Sequence, residues 1–141
     1  MELGERLKEL TLVLNALHRR HLCNRGQTLS QCFVLMSIPY DGMDMSGLSR
    51  KLGLDNSTTT RLVDTLERHG WVKRQRDRLD RRVMTVRLTQ KGEEVATELD
   101  ASMESLGNAI LEDLSPQKRE ETREVLQEVL WSLSKEKLRE S

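Results

Sequence analysis

The chain has 141 residues, of which 33% are charged and 3% aromatic, with 23 basic groups exactly matched in number by 23 acidic ones. That length is one domain's worth, and an elongated helical chain of this size often completes its core with a second copy. No apolar run is long enough to span a bilayer. The opening Met1-Glu2-Leu3-Gly4-Glu5-Arg6-Leu7-Lys8 lacks the apolar stretch of a secretory signal, so a cytoplasmic location is expected. Cys23 and Cys32 are too few for a disulfide framework, and both are expected as free thiols.

Leu3, Leu7, Leu10, Leu14 and Leu17 step by fours and threes, which places them on one stripe of a first helix that ends near Asn24-Arg25-Gly26. Thr28 or Ser30 then caps a second helix with Cys32, Phe33, Leu35, Met36 and Ile38 as core, stopped by Pro39 and Asp41-Gly42. Asp44 caps a short third helix in which Met45, Leu48 and Leu52 face inward and Ser49, Arg50 and Lys51 face out. Gly53-Leu54-Asp55 forms a tight turn. A fourth helix follows, with Asp55 or Asn56 as N-cap and Thr59, Leu62, Val63 and Leu66 as its buried stripe, closing at His69-Gly70. Two short helices joined in this way form a helix-turn-helix.

The period then changes from helical to alternating. Val72 to Arg76 and Val83 to Leu88 read as a two-stranded hairpin with a charged tip at Asp77-Arg78-Leu79-Asp80-Arg81. Thr89 caps a long fifth helix with Val95, Leu99, Met103, Leu106 and Ile110 in its stripe. Ser115 and Pro116 open a sixth, lined by Leu126, Val129, Leu130, Leu133 and Leu138. The fold class is mainly α with a small β-hairpin (α+β).

Charge is balanced overall and polarised along the chain. Residues 68–91 hold nine basic groups against Asp77 and Asp80, whereas residues 92–141 hold thirteen acidic groups against six basic ones. A basic middle suits a polyanion, and an acidic tail suits a part held away from it.

The inward stripe of the fourth helix leaves Asn56, Ser57, Thr58, Thr60, Arg61, Asp64, Thr65 and Arg68 pointing outward. Short hydroxyl side chains in the first turn let a helix end approach closely, and Arg61 can reach a guanine with two hydrogen bonds. The third helix, through Ser49, Arg50 and Lys51, would contact phosphates above the groove. Arg78, Arg81 and Arg82 at the hairpin tip suit phosphates or a narrow minor groove. Asp77 and Asp80 sit oddly in a surface meant for a polyanion, so at least one is expected to pair with an arginine and hold the loop's shape. Double-stranded DNA is the partner these features select.

Four segments together resemble the MarR family of winged-helix regulators. They are Leu48-Ser49-Arg50-Lys51-Leu52-Gly53-Leu54, the run from Ser57 through Val72, Asp77-Arg78-Leu79-Asp80-Arg81-Arg82, and Leu88-Thr89-Gln90-Lys91-Gly92. The resemblance implies a single domain over 1–141, with 28–92 as the winged helix-turn-helix and 1–25 and 93–141 as dimerisation helices. It also implies that Ser57, Thr58, Thr60 and Arg61 read the groove and that Arg81 and Arg82 face DNA from the wing. Two positions depart from the family pattern: Thr59 stands where Val is usual, and Leu79 where the wing tip often has Arg. The apolar stripes at both ends of the chain fit a homodimer with two recognition helices about one helical turn, ~34 Å, apart.

Function is therefore expected to be that of a transcriptional regulator, as a homodimeric repressor on a pseudo-palindromic operator. The resemblance implies release by a small lipophilic or phenolic effector, by thiol oxidation or by a metal. Candidate lining residues for an effector pocket are Leu14, Leu17, His18 and Met36, and Cys23 with Cys32 form a candidate redox pair across a short loop. The reactive cysteine of peroxide-sensing relatives, near the start of the first helix, is not matched. His18 and His21 beside Arg19 and Arg20 read as a solvated helix end, so no metal and no cofactor are expected. The alternatives are redox regulation through the two cysteines and a winged-helix protein-interaction module without specific DNA binding. No nucleophile elbow, phosphate-cradling Gly loop or HExxH pattern argues for an enzyme.

Overall fold

The computed structural model describes residues 2–139. Along the chain run α1 (Leu3–Leu22), α2 (Leu29–Ser37), β1 (Met43–Asp44), α3 (Met45–Leu52), α4 (Asn56–Arg68), β2 (Val72–Arg76), β3 (Met84–Leu88), α5 (Gln90–Asp113) and α6 (Pro116–Arg139). The chain divides into two compact units, Met1–Ser102 and Met103–Ser141.

Local chemistry accounts for the element boundaries in the first unit. Asn24 donates its side-chain amide to the His21 carbonyl at the end of α1, and Gly26 turns the chain with φ 79°. Thr28 makes a reciprocal capping box with Gln31, each side chain accepting from the other's backbone N–H. Asp44 accepts from Gly47 N–H to start α3, and Gly53 closes it in the left-handed region with φ 68°. Thr89 accepts from Gly92 N–H at the start of α5.

The hairpin is part of a three-stranded antiparallel sheet of order β1-β3-β2, with Met43 opposite Val86 and Asp44 opposite Thr85. The added strand went unforeseen because two residues show no period, and only β3 makes them a strand. Gly92 lets α5 approach the base of the hairpin: a Cβ there would lie 1.8 Å from the Trp71 carbonyl oxygen.

The core of this unit is made by Leu22, Val34, Leu35, Leu48, Val63, Leu66, Val72, Val86 and the first half of α5 through Val95 and Leu99. Helix α2 buries Val34 as completely as Leu35, while Phe33 and Met36 are half-buried. It packs against α1, α3 and α4 at once, so its buried surface is wider than one stripe. On α1 the expected stripe is covered unevenly: Leu7, Leu14 and Leu17 are half-buried, whereas Leu3 and Leu10 are exposed.

The second unit holds the end of α5 and all of α6. Arg119 donates from Nε to the Leu111 carbonyl at 2.7 Å, which joins the two helices across their turn. No described residue of α6 is buried, and Val125, Leu126, Leu130, Trp131 and Leu133 are all exposed.

Candidate nucleic-acid interface

Helices α3 and α4 are joined by a turn in which Gly53 and Leu54 N–H groups bond back to the Arg50 and Ser49 carbonyls. Their contact also contains a buried polar link. Ser49 Oγ donates to Thr59 Oγ1 at 2.8 Å, and Thr59 Oγ1 donates to the Asp55 carbonyl at 3.0 Å. Thr59 is completely buried and Ser49 is 4% exposed.

This corrects the expected outward position of Ser49, which cannot touch phosphates from inside the core. Its spacing carries the reason: Met45, Leu48, Ser49 and Leu52 follow the i, i+3, i+4, i+7 pattern of one helical face. Thr59 sits in the apolar position with its hydroxyl satisfied twice, so the hydroxyl need not be desolvated unpaired. Arg50 and Lys51 are exposed, and Lys51 Nζ donates to the Ser37 carbonyl at 2.9 Å.

Asp55 is the N-cap of α4. Its Oδ1 accepts from Thr58 N–H at 2.7 Å and from Ser57 Oγ at 2.8 Å, and these bonds hold the carboxyl at about 2, well below the usual range. Asn56, Ser57, Thr60, Arg61 and Arg68 are exposed, and Thr58 and Thr65 are half-buried. Thr60 and Thr65 donate to carbonyls four residues back, so each hydroxyl oxygen faces outward as an acceptor, which Thr65 already uses toward Arg68. Arg61 reaches Thr58 at 3.2 Å and Arg68 reaches Thr65 at 3.1 Å, so both guanidiniums lie along the outer face of the helix. One face of α4 thus presents acceptors and two planar cations, while the opposite face is sealed into the core.

The hairpin is fastened to that helix by a group the sequence reading counted only as charge. Arg74 of β2 pairs with Asp64 and, at 3.2 Å, with Glu67, while its backbone N–H donates to Glu67 Oε2 at 2.9 Å. The guanidinium bonds lower the Glu67 carboxyl, and the pairing raises Arg74. Asp64 therefore faces the wing, where it neutralises a cation instead of meeting a polyanion. Two acids three residues apart on α4, opposite an arginine in the neighbouring strand, were the available signal.

Both tip acids organise the loop. Asp77 Oδ1 accepts from the backbone N–H groups of Leu79 at 2.7 Å and Asp80 at 3.1 Å. Asp80 accepts from Arg82 Nε and Nη2, which lowers its carboxyl, and Asp77 N–H and Val83 N–H close the loop on the Val83 and Asp80 carbonyls. Arg78, Arg81 and Arg82 are exposed around it.

The other candidate residues gather near the α1–α2 loop. His18 is buried edge-on to Phe33, with ring centroids 6.1 Å apart, and burial lowers its basicity. The solvated reading is therefore corrected for His18 and holds for His21, which is exposed. His18 lies four residues from Leu14 on the face α1 turns inward, which the flanking arginines obscured. Leu14, Leu17 and Met36 are half-buried.

Cys32 is buried and its thiol donates to the Leu22 carbonyl at 3.7 Å, while Cys23 is half-buried, and both are free thiols. Burial, then the neighbouring Cys23, pushes the Cys32 thiol up to about 12. Among the described residues no group of three or more His, Cys, Asp or Glu side chains is placed to hold a metal ion. No described helix is long and apolar enough to cross a membrane.

Comparison with known proteins places this geometry. The MarR family model matches residues 28–84, which contain the helix-turn-helix and most of the wing. The transcriptional repressor MprA of Escherichia coli K12 is 30% identical over 88 residues, covering 62% of this chain and 50% of MprA. The chain thus spans about half the length of that curated relative. Among solved structures, mutant MarR from E. coli complexed with operator DNA superposes with TM-score 0.74 at 25% identity, over 91% of this chain and 93% of that one. FabT of Streptococcus pneumoniae, in complex with DNA, gives TM-score 0.79 at 21% identity over 95% and 99% of the two chains. Family model, curated relative and fold agree: residues 28–84 match the MarR family model, and the chain is similar over most of its length to MarR-family winged helix-turn-helix structures.

Proposed function

We propose that this protein is a sequence-specific double-stranded DNA-binding transcriptional regulator, not an enzyme, acting as a homodimeric repressor on a pseudo-palindromic operator. The observation that carries the reading is the outer face of α4. It has a sealed opposite side, short acceptor side chains in its first turns and Arg61 and Arg68 laid along it, beside an arginine-bearing wing. These are the requirements for insertion into a major groove about 12 Å wide. The naming of MprA as a repressor and the operator DNA bound to the MarR neighbour support it.

The dimer is supported by the exposed apolar residues of each end helix taken by itself, Leu3 and Leu10 on α1 and Leu126, Leu130 and Leu133 on α6, since apolar side chains left to water are stabilised by a second copy. Release by a small lipophilic or phenolic effector lined by Leu14, Leu17, His18 and Met36 belongs to the same proposal, and the apolar setting of His18 favours an uncharged ligand. The test is selection of duplexes from fragmented genomic DNA by the purified chain. Recovery of a common, two-fold symmetric sequence supports the reading. Retention that is equal for all sequences, or absent, points to the protein-interaction module instead.

A second reading, redox regulation, has one specific observation behind it, the Cys23 side chain neighbouring the buried Cys32 thiol across a short loop. An organic hydroperoxide would oxidise the two thiols to a disulfide and be reduced to alcohol and water. Peptide mapping after peroxide treatment tests it: a Cys23–Cys32 linked peptide supports it, and thiols that stay free at peroxide levels where DNA binding is lost exclude it.

A further inference from the structure

The wing tip carries a residue that its charged setting does not explain. Leu79 is 99% exposed, the most exposed of the large apolar side chains, at the apex of a loop that is otherwise built from Asp and Arg. It is also held in place. Asp77 accepts from its backbone N–H, the loop closes on Val83 and Asp80, and Asp80 fastens Arg82. A fully hydrated leucine on a tethered turn gains nothing within the chain, because its apolar surface meets only water.

The reach of the hairpin says what the leucine meets. Strand β2 has five residues, which at about 3.3 Å each extend roughly 17 Å from the hairpin base. Half a turn of B-DNA, which separates a major groove from the adjacent minor groove, is also about 17 Å, half of the ~34 Å turn. The middle of β2 is tied to α4 through Arg74, Asp64 and Glu67, so the wing does not swing independently of the recognition helix. With α4 in a major groove, a wing of that length matches the distance to the neighbouring minor groove. The tip's flanking cations Arg78, Arg81 and Arg82 complement the phosphates on the two walls.

We propose that Leu79 is an apolar wedge, which the wing sets into that minor groove between its flanking arginines, packing on deoxyribose and the edge of a base step. The proposal rests on the reading of the chain as a DNA-binding protein and adds to it a contact of a different kind. Leucine carries no charge and no hydrogen-bonding group, so it releases no counterion and reads no base edge. It favours sequences whose steps unstack and widen at low cost, such as pyrimidine–purine steps. Selectivity at the wing is then indirect, and its affinity has a part that salt does not screen.

The experiment compares the full-length wild type with Leu79→Ala, Leu79→Met and Arg61→Ala on one duplex recovered by selection, over a series of salt concentrations. Leu79→Ala is expected to weaken binding about tenfold, the loss from uncovering a leucine side chain, at every salt concentration and with the same salt slope. Hydroxyl-radical cleavage of the minor-groove sugars beside the half-site should lose its protection in Leu79→Ala, while guanine protection in the major groove persists. Leu79→Met should restore most of the affinity.

The wedge is overturned if Leu79→Ala binds like wild type, if it changes the salt slope, or if the sugar protection survives. Because the side chain is almost wholly exposed, melting of the variant should match wild type, which separates the effect from misfolding. If wild type retains no duplex, the DNA-binding reading fails and the wedge with it. If Arg61→Ala loses affinity while Leu79→Ala does not, the wedge alone fails.

Discussion

Helix α4 seals Thr59, Val63 and Leu66 completely into the core with only 13 residues, whereas α6, with 24 residues, buries none of its described side chains. Both helices carry apolar residues at helical spacing, so the difference does not lie in the pattern. It lies in what each stripe meets. Helix α4 has α2, α3 and β2 around it within the same chain, and its inner face is therefore fixed before any partner arrives. Helix α6 presents Leu126, Leu130 and Leu133 to water. Apolar residues left half-exposed at helical spacing are what a second copy would cover in the proposed dimer. In the proposed function, the helix that reads is finished within the chain, and the helix that assembles is not.

Substitutions can sharpen that contrast. The largest expected effect is a change of state: Leu126→Glu with Leu130→Glu should convert the proposed dimer to monomer in sedimentation equilibrium while the helical far-ultraviolet circular dichroism of the chain is largely kept. A variant that remains dimeric would remove α6 from the interface. Next comes Leu66→Ala, a completely buried site on α4, which should cost about 2–5 kcal/mol in denaturant unfolding. A loss under 1 kcal/mol, by the ordinary range for surface sites, would mean that α4 is not the finished element described above.

Arg61→Ala should weaken operator binding by about 1–3 kcal/mol while sparing non-specific DNA. Equal loss on both would withdraw it from the groove. On the wing, Arg81→Ala should reduce the salt slope of binding by about 1. Adding Arg82→Ala should reduce it by less, because Asp80 already holds that guanidinium.

The smallest effect concerns pH. Asp55 is depressed from 3.8 to about 2 in the folded chain, so its cap contributes fully above the unfolded value and is lost as pH falls through about 2. Amide protection at Thr58 should accordingly be flat from neutrality to about pH 4 and decline only below it. A midpoint near neutrality in hydrogen exchange would show that another group controls the helix start.

Several features were open to reading from residue spacing alone. The six helices, the cap at Asp44, the turn at Gly53 and the hairpin around the charged tip all follow from periodicity and from side chains that satisfy backbone groups within three or four residues, whereas the choice of Thr28 over Ser30 and of Asp55 over Asn56 as caps was settled by the structure. The outward positions of Arg50, Arg61 and Arg68 also follow from spacing. Each depends on interactions local in the chain, which is why a linear pattern encodes them.

What only the tertiary structure decided depends on neighbours distant in sequence. Ser49 looked like a surface hydroxyl until Thr59, ten residues on, proved to be its buried partner. Arg74 counted toward a basic surface until Asp64 and Glu67 claimed it. His18 lay among arginines and yet turned inward onto Phe33, and β1 became a strand only beside β3. Polar and charged side chains are ambiguous in a sequence, since the same group is solvated, bridged or buried according to what the fold brings against it. Apolar spacing determined which face of α3 and α4 turns inward; packing alone determined which polar groups were left to face outward.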